Sequence, residues 1–389
     1  EGTASRTSEQ ISQQLEVTAA SLSVSTSLSG LELTVSGSAL TDQFEPLLDV
    51  AADVLLHPAF SDEELSRYKQ RQRTLLTQQR ANPNLLGEEA FQRVIYGDHP
   101  AARVTPSVAV LEKATRDQLV ALHKARVVPE HALLAVTGDI TPARARELVE
   151  ARLGTWASTA TPMPKVVNPF PTKGPTISFI GRPNSVQTVL LVGTQALERT
   201  HPDYDRLQVM NKILGGGPTG RLFIHLREEK GYTYGISSSV SAPMHRGEWV
   251  ASTSVRTDVT EPALRDLLAE LAAMRDQPVT DAELADAKRA LIAGFALSLE
   301  SPSRLMGYRV NQRLFGLAGD YWDRYADRIS AITQEQVQAA ARTYLAPDRL
   351  QIVAVGDPST VAGVLNKLGK VDLYDADGRP LALPAAPGR

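Results

Sequence analysis

The chain has 389 residues, with 41 basic against 44 acidic and no cysteine. That near-neutral balance argues against nucleic acid as the main partner, and the absent cysteines exclude disulfides, thiolate metal sites and cysteine nucleophiles. The length predicts two domains, and no apolar run approaches the length of a membrane span.

In chain order, the polar start Glu1–Arg6 does not read as a signal peptide. A helix is predicted over Thr7–Ala19, with Ile11, Leu15 and Ala19 on one face. Leu22, Val24 and Leu28, then Leu31, Leu33 and Val35, alternate with polar residues around Ser29-Gly30 and predict a half-buried hairpin. Helices follow at about Asp42–Leu56, Asp62–Arg80, Leu85–Tyr96 and Arg116–Ala125, and a strand at Ala132–Val136. After a stretch crowded with Pro162, Pro164, Pro169, Pro171 and Pro175, the pattern runs strand, strand, and a helix at Asp203–Leu214. A short helix at Arg221–Glu229, strands at Tyr234–Val240 and Trp249–Val255, paired helices and a final strand complete it. Antiparallel strands with segregated helices predict an α+β fold rather than a doubly wound sheet.

Landmarks recur at a nearly constant offset. Pro129 and Pro347, Gly138 and Gly356, and the capping boxes Thr115-x-x-Gln118 and Thr333-x-x-Gln336 each lie 218 residues apart. Ser61 and Thr280, like Pro83 and Pro302, lie 219 apart. Several such pairs in one order predict an internal duplication. The first copy is placed at 1–158, the Pro-rich linker at 159–175 and the second copy at 176–389. Nothing in the first copy corresponds to Thr176–Pro218, so its opening strand and first helix are expected to be missing, as in a fragment or a reduced unit.

The segment Leu222–Gly235 reads Leu-Phe-Ile-His-Leu-Arg-Glu-Glu-Lys-Gly-Tyr-Thr-Tyr-Gly. It resembles the insulinase/pitrilysin family of zinc metallopeptidases, which includes mitochondrial processing peptidase. The family's second domain has a glycine-rich loop, a helix ending in Arg-Glu-x-x-Gly, and a Tyr seven residues after the Arg. Those positions fall here at Arg227 and Tyr234. Glu1-Gly2-Thr3, Tyr96-Gly97-Asp98-His99-Pro100 and both Gly-Asp strand ends fit as well. The resemblance spans nearly the whole chain. It implies two homologous domains, each a mainly antiparallel sheet packed with helices, forming half of a clamshell that encloses unfolded peptides.

The family's chemistry is incomplete in this sequence. Its zinc site is a His-x-x-Glu-His helix plus a distal Glu, where two His bind zinc and the intervening Glu activates water. By resemblance that helix would precede Glu1, and the distal Glu would fall near Thr74–Gln79. No carboxylate occurs between Glu64 and Glu88. The resemblance therefore implies a non-catalytic subunit with no metal of its own, zinc being expected in a homologous partner. Arg227 and Tyr234 would then offer donors to the carbonyl and oxyanion of an extended peptide in a composite site. Two alternatives stay open: an active zinc endopeptidase whose zinc helix lies in a further N-terminal segment, and a structural subunit without proteolysis.

Other candidates read more plainly. His225 and Glu229 echo the zinc motif but give at most two ligands, so a solvated helix face is expected. Gly215-Gly216-Gly217 is followed by Arg221 and Leu222 where a phosphate loop needs Lys and a hydroxyl, which argues against nucleotide binding. It reads either as a flexible connection or, by resemblance, as a loop that leaves room for substrate. Arg67, Lys69, Arg71, Arg73 and Arg80 read as a solvated basic face.

Overall fold

A computed structural model describes residues 2–26, 32–158, 162, 165–172 and 174–381. These form two compact units. One comprises Glu1–Thr77, Thr105–Lys165 and Ser301–Val310; the other comprises Gln78–Val104, Val166–Glu300 and Asn311–Arg389. Helices and strands are mixed and segregated along the chain, so the fold is α+β as expected.

The first unit is helix-rich. Its alternating residues form β1 (Ser21–Thr26) and β2 (Leu33–Ser38), an antiparallel pair. The expected turn at Ser29-Gly30 lies outside the described residues. The Phe44–Leu56 helix buries Leu47, Leu48, Val50 and Ala52 and packs on this pair and on the Pro142–Leu153 helix. Asp53 anchors the N-terminal turn, accepting from Thr3 Oγ1 at 2.6 Å and Ser5 Oγ at 2.9 Å. The capping box read at Thr115 forms, and a second one forms at Thr7.

One expected strand is missing. Residues 132–137 join no ladder among the described residues, and Leu133, Leu134 and Val136 are exposed. Their counterpart 218 residues on lies between two pairing partners. The described part of the first unit supplies neither, and a strand has no stability without a ladder.

The second unit is built on a sheet of seven strands. They are β3 (Thr176–Gly181), β4 (Gln187–Gln195), β5 (Thr233–Ser241), β6 (Glu248–Arg256), β7 (Gln351–Gly356), β8 (Val371–Tyr374) and β9 (Pro380–Leu381), in spatial order β5-β6-β4-β7-β3-β8-β9. Only β3 runs parallel to its neighbours, β7 and β8. Strand side chains alternate between faces. Phe179, Leu190, Val192, Ile352 and Ala354 enter the main core with the Tyr204–Leu214, Thr260–Asp276 and Gln334–Tyr344 helices. Ile180, Val189, Leu191, Val353 and Val355 face the other way, onto Leu86, Ala90, Phe91, Ile95 and Tyr96.

Those last five residues belong to the Pro83–Tyr96 helix, which precedes the Pro-rich stretch. The compact units thus differ from the expected boundaries 1–158 and 176–389. The physical reason is that β4 and β7 are apolar on both faces, and both faces need cover. Asn82 caps this helix, and Pro83 sits at its first turn. Gly87 lets the helix approach closely, since a Cβ there would meet Leu191 Cδ1 at 2.7 Å.

Phe91 is fully buried on the second face of the sheet, so Phe91→Ala should cost about 3–5 kcal/mol. Leu133→Ala, in the unpaired stretch, should stay within about 0.5 kcal/mol of the parent. Urea unfolding of both variants checks this pair of values. A large loss at Leu133 would mean that the 132–137 stretch is packed after all.

Candidate functional site

The residues singled out by sequence lie along β5, Arg227 and Tyr234 at its start and the glycines beside Ser238 further on. The Tyr204–Leu214 helix ends at Gly215, and its buried Asn211 ties three elements together. Asn211 Nδ2 donates to the Ser238 carbonyl at 3.1 Å, and its Oδ1 accepts from Ser238 Oγ at 2.7 Å and Trp249 Nε1 at 2.8 Å. The amides of Gly215 and Gly216 both donate to the Asn211 carbonyl, and Ser238 N donates to Gly215 O at 2.8 Å. A Cβ on Gly215 would meet Ser238 Oγ at 2.5 Å, and one on Gly216 would meet Lys212 Cα at 2.7 Å. Gly217 takes a φ of +140°, which L side chains rarely adopt. Internal packing therefore accounts for these glycines, whatever else the loop does.

The helix after the loop changes pitch. Arg221–Phe223 is α-helical, and Ile224–Glu229 is a π turn. Arg221 grips Glu283 with two bonds of 2.6 and 2.9 Å, holding the carboxyl down at about 2. His225 and Glu229 were expected to share a face. The wider π pitch breaks that four-residue stacking, and His225 Nδ1 instead pairs with Glu270 Oε1 at 2.7 Å. Among the described residues no group of three or more His, Asp or Glu could hold a metal ion. Thr74 and Thr77, in the stretch where the distal Glu was sought, donate to carbonyls of their own helix, and Leu76 is buried.

Arg227 and Tyr234 come together through the backbone. Arg227 Nε donates to the Tyr234 carbonyl at 2.9 Å, its guanidinium lies 4.9 Å from the Phe223 ring centroid, and it pairs with Glu228. Tyr234 sits on a β-bulge: β5 pairs Thr233 with Val255 and then Ile236 with Thr253. Hydroxyls staple the bulge. Thr233 Oγ1 donates to Ser254 O at 2.8 Å, and Thr253 Oγ1 donates to Gly235 O at 3.0 Å. Bulges re-aim side chains, and the Tyr234 side chain here is 92% exposed.

Sequence reasoning missed the bulge, the Asn211 keystone and a second polar cluster at the other end of the sheet. There Glu248 accepts from Tyr96 and Gln92, beside the edge-to-face rings of His99 and His245. The only sequence signal for it is a Glu placed directly before the apolar run Trp249-Val250-Ala251. The basic face expected on the Asp62–Gln79 helix is largely paired: Arg67 with Glu63 and Glu64, Arg73 with Glu112. Lys69 donates to the carbonyls of Glu112 and Ala114, and Arg80, just beyond that helix, pairs with Glu89.

Residues 1–105 match the model of the insulinase family (peptidase family M16), and residues 113–291 match that of the peptidase M16 inactive domain. An uncharacterized zinc protease of Mycobacterium leprae, ML0855, is 27% identical over 319 residues, 79% of this chain and 69% of the relative. The uncharacterized zinc protease YmxG of Bacillus subtilis is 23% identical over 302 residues, 77% of this chain and 73% of that protein. A peptidase M16 inactive domain from Pseudomonas fluorescens superposes with a TM-score of 0.84 at 28% identity, covering 92% of this chain and 85% of the other. A protease from Helicobacter pylori shares the fold at the same TM-score with 17% identity, over 92% of this chain and 86% of its own. This chain belongs to the insulinase (M16) peptidase family, in its inactive-type form, and its sequence carries no His-x-x-Glu-His zinc motif.

Proposed function

We propose that the chain is the non-catalytic half of an insulinase-family peptidase, binding extended peptide and completing the active site of a zinc-bearing partner. The observation that carries this reading is the presentation of Tyr234. A bulge and the Arg227 clamp hold its backbone while its phenol stands in solvent. A purely structural Tyr would bury its ring. In this reading Tyr234 donates to the developing oxyanion, and Arg227 fixes the strand and faces peptide carbonyls. The Gly215–Gly217 loop borders the peptide path. Zinc belongs to the partner, a homologous subunit or fused half. The units 1–158 and 176–389, joined by the linker at 159–175, are read as two copies of one ancestral domain, in keeping with the shared order and spacing of their helices.

Tyr234→Phe removes one donor and keeps the ring. In the complex reconstituted with a zinc-bearing homologue and an unstructured peptide, kcat/KM should fall by about a hundredfold or more, equivalent to about 2.7–4 kcal/mol. Thermal melts of the variant should match the parent, since the side chain touches little. An unchanged kcat/KM for both Tyr234→Phe and Arg227→Ala would replace this reading with that of a structural subunit.

The isolated chain should retain less than stoichiometric zinc after dialysis against a weak chelator, as read by metal analysis. One tightly held zinc per chain would instead favour an enzyme in its own right.

A further inference from the structure

We propose that Tyr96, His99, His245 and Glu248 form a pH-sensitive latch that fastens the Pro83–Tyr96 helix to the sheet of the second unit. Glu248 opens β6 and is only 7% exposed. Its carboxyl accepts from the Tyr96 hydroxyl and, at 3.3 Å, from Gln92 Nε2, both on the helix. His245, 5% exposed, stands edge-on to the Tyr96 ring at 5.6 Å and to the His99 ring at 4.7 Å between centroids. Its Nδ1 is 2.9 Å from the Arg246 carbonyl, and His99 Nε2 is 3.0 Å from the Val167 carbonyl. The helix end is further tied down by Gln195 Nε2, which donates to the Ile95 carbonyl at 2.6 Å.

The cluster has little nearby charge to balance it. From the helix, Glu88 is the charged group that acts on Glu248. Across the sheet, β4 places Gln195 and β5 places Ser241 opposite Glu248. From the preceding turn comes Arg246, a residue that lines a concavity with Gln195, Tyr344, Asp348 and Arg349. Among the described residues neither Glu248 nor His245 makes an ion pair.

Burial pushes the Glu248 carboxyl up to about 7, Glu88 adding to the shift and the Gln92 bond opposing it. Burial likewise pushes the His245 imidazole down, with His99 adding to the effect. A raised carboxylate contributes fully below its ordinary value of about 4.5 and loses that contribution as pH rises to about 7. A lowered histidine contributes fully above about 6.5 and loses its contribution as pH falls through its folded value. In the folded protein both groups are neutral just below pH 7, but the Glu248 contribution is already declining there and is gone once pH has risen through about 7. Above that, a carboxylate without a countercharge sits under the helix, and the helix loosens. Residues 78–104 continue at both ends into segments of the first unit.

Hydrogen exchange read by mass spectrometry tests this on the whole chain, at about pH 6 and about pH 8, corrected for the intrinsic exchange rate. Protection of residues 83–96 should fall by about tenfold at the higher pH, while β7 keeps its protection. Glu248→Gln, which retains the shape without the charge, should abolish the fall and raise the Tm above the parent at the higher pH. A parent whose helix is equally protected at both values overturns the latch, with or without the variant. So does a fall shared by β7, or one that persists in Glu248→Gln.

Discussion

The sheet of the second unit has two apolar faces, and this constraint organises the rest. Leu190 and Val192 point one way along β4 while Val189 and Leu191 point the other, and β7 repeats the pattern with Ile352 to Val355. The helices that follow β4 and β6 cover the first face only. The second face takes a helix from before the Pro-rich stretch, with Phe91 and Ile95 at its centre. Burying side chains of that size contributes roughly 1.5–3 kcal/mol each, so the helix is held chiefly by apolar contact. The polar group it brings down onto β6, Tyr96 against Glu248, adds register rather than bulk. A buried carboxyl must be bonded or neutral, and here it is both bonded and close to its neutral range.

The candidate site inherits its rigidity from the first face. Trp249 and Ser238 lie on neighbouring strands, and Asn211 on the helix beneath satisfies both while its carbonyl receives the amides of the glycine loop. A buried amide bonded through both its oxygen and its nitrogen rigidifies what it joins. Loop, β5 and β6 therefore move as one body, and the bulge at Tyr234 is built at the end of that body. The π turn and the Arg221–Glu283 pair fix the other side. Positioning donors for a reacting group requires this kind of support, because small displacements cost large factors in rate.

The sequence revealed local features well. The strands read at Tyr234–Val240 and Trp249–Val255 form as β5 and β6, the capping boxes at Thr115 and Thr333 form as read, and the limits of the helices read there hold to within a residue or two. Arg227 and Tyr234 were singled out by the family resemblance; their residue types and spacing alone read as a helix-end Arg and a strand Tyr. What sequence could not show depends on distant partners. The 132–137 stretch has a strand's composition but no ladder to join. The Pro83–Tyr96 helix has an ordinary apolar face, and nothing in that face says which sheet it covers. Glu248 reads as one more surface carboxylate until Gln92 and Tyr96, some 150 residues earlier in the chain, are laid over it. The bulge and the π turn each insert one residue into a regular pattern, which no periodicity announces.

The function proposed for this M16-family chain, with its inactive-type domain and solvent-facing Tyr234, is to bind peptide without cutting it. The most direct test is fluorescence anisotropy of a labelled, unstructured peptide titrated with the chain in the presence of EDTA. The account predicts saturable binding that needs no metal, is weakened by Arg227→Ala, and leaves the peptide intact. Absence of binding, or cleavage by the chain alone that the chelator stops, would contradict it.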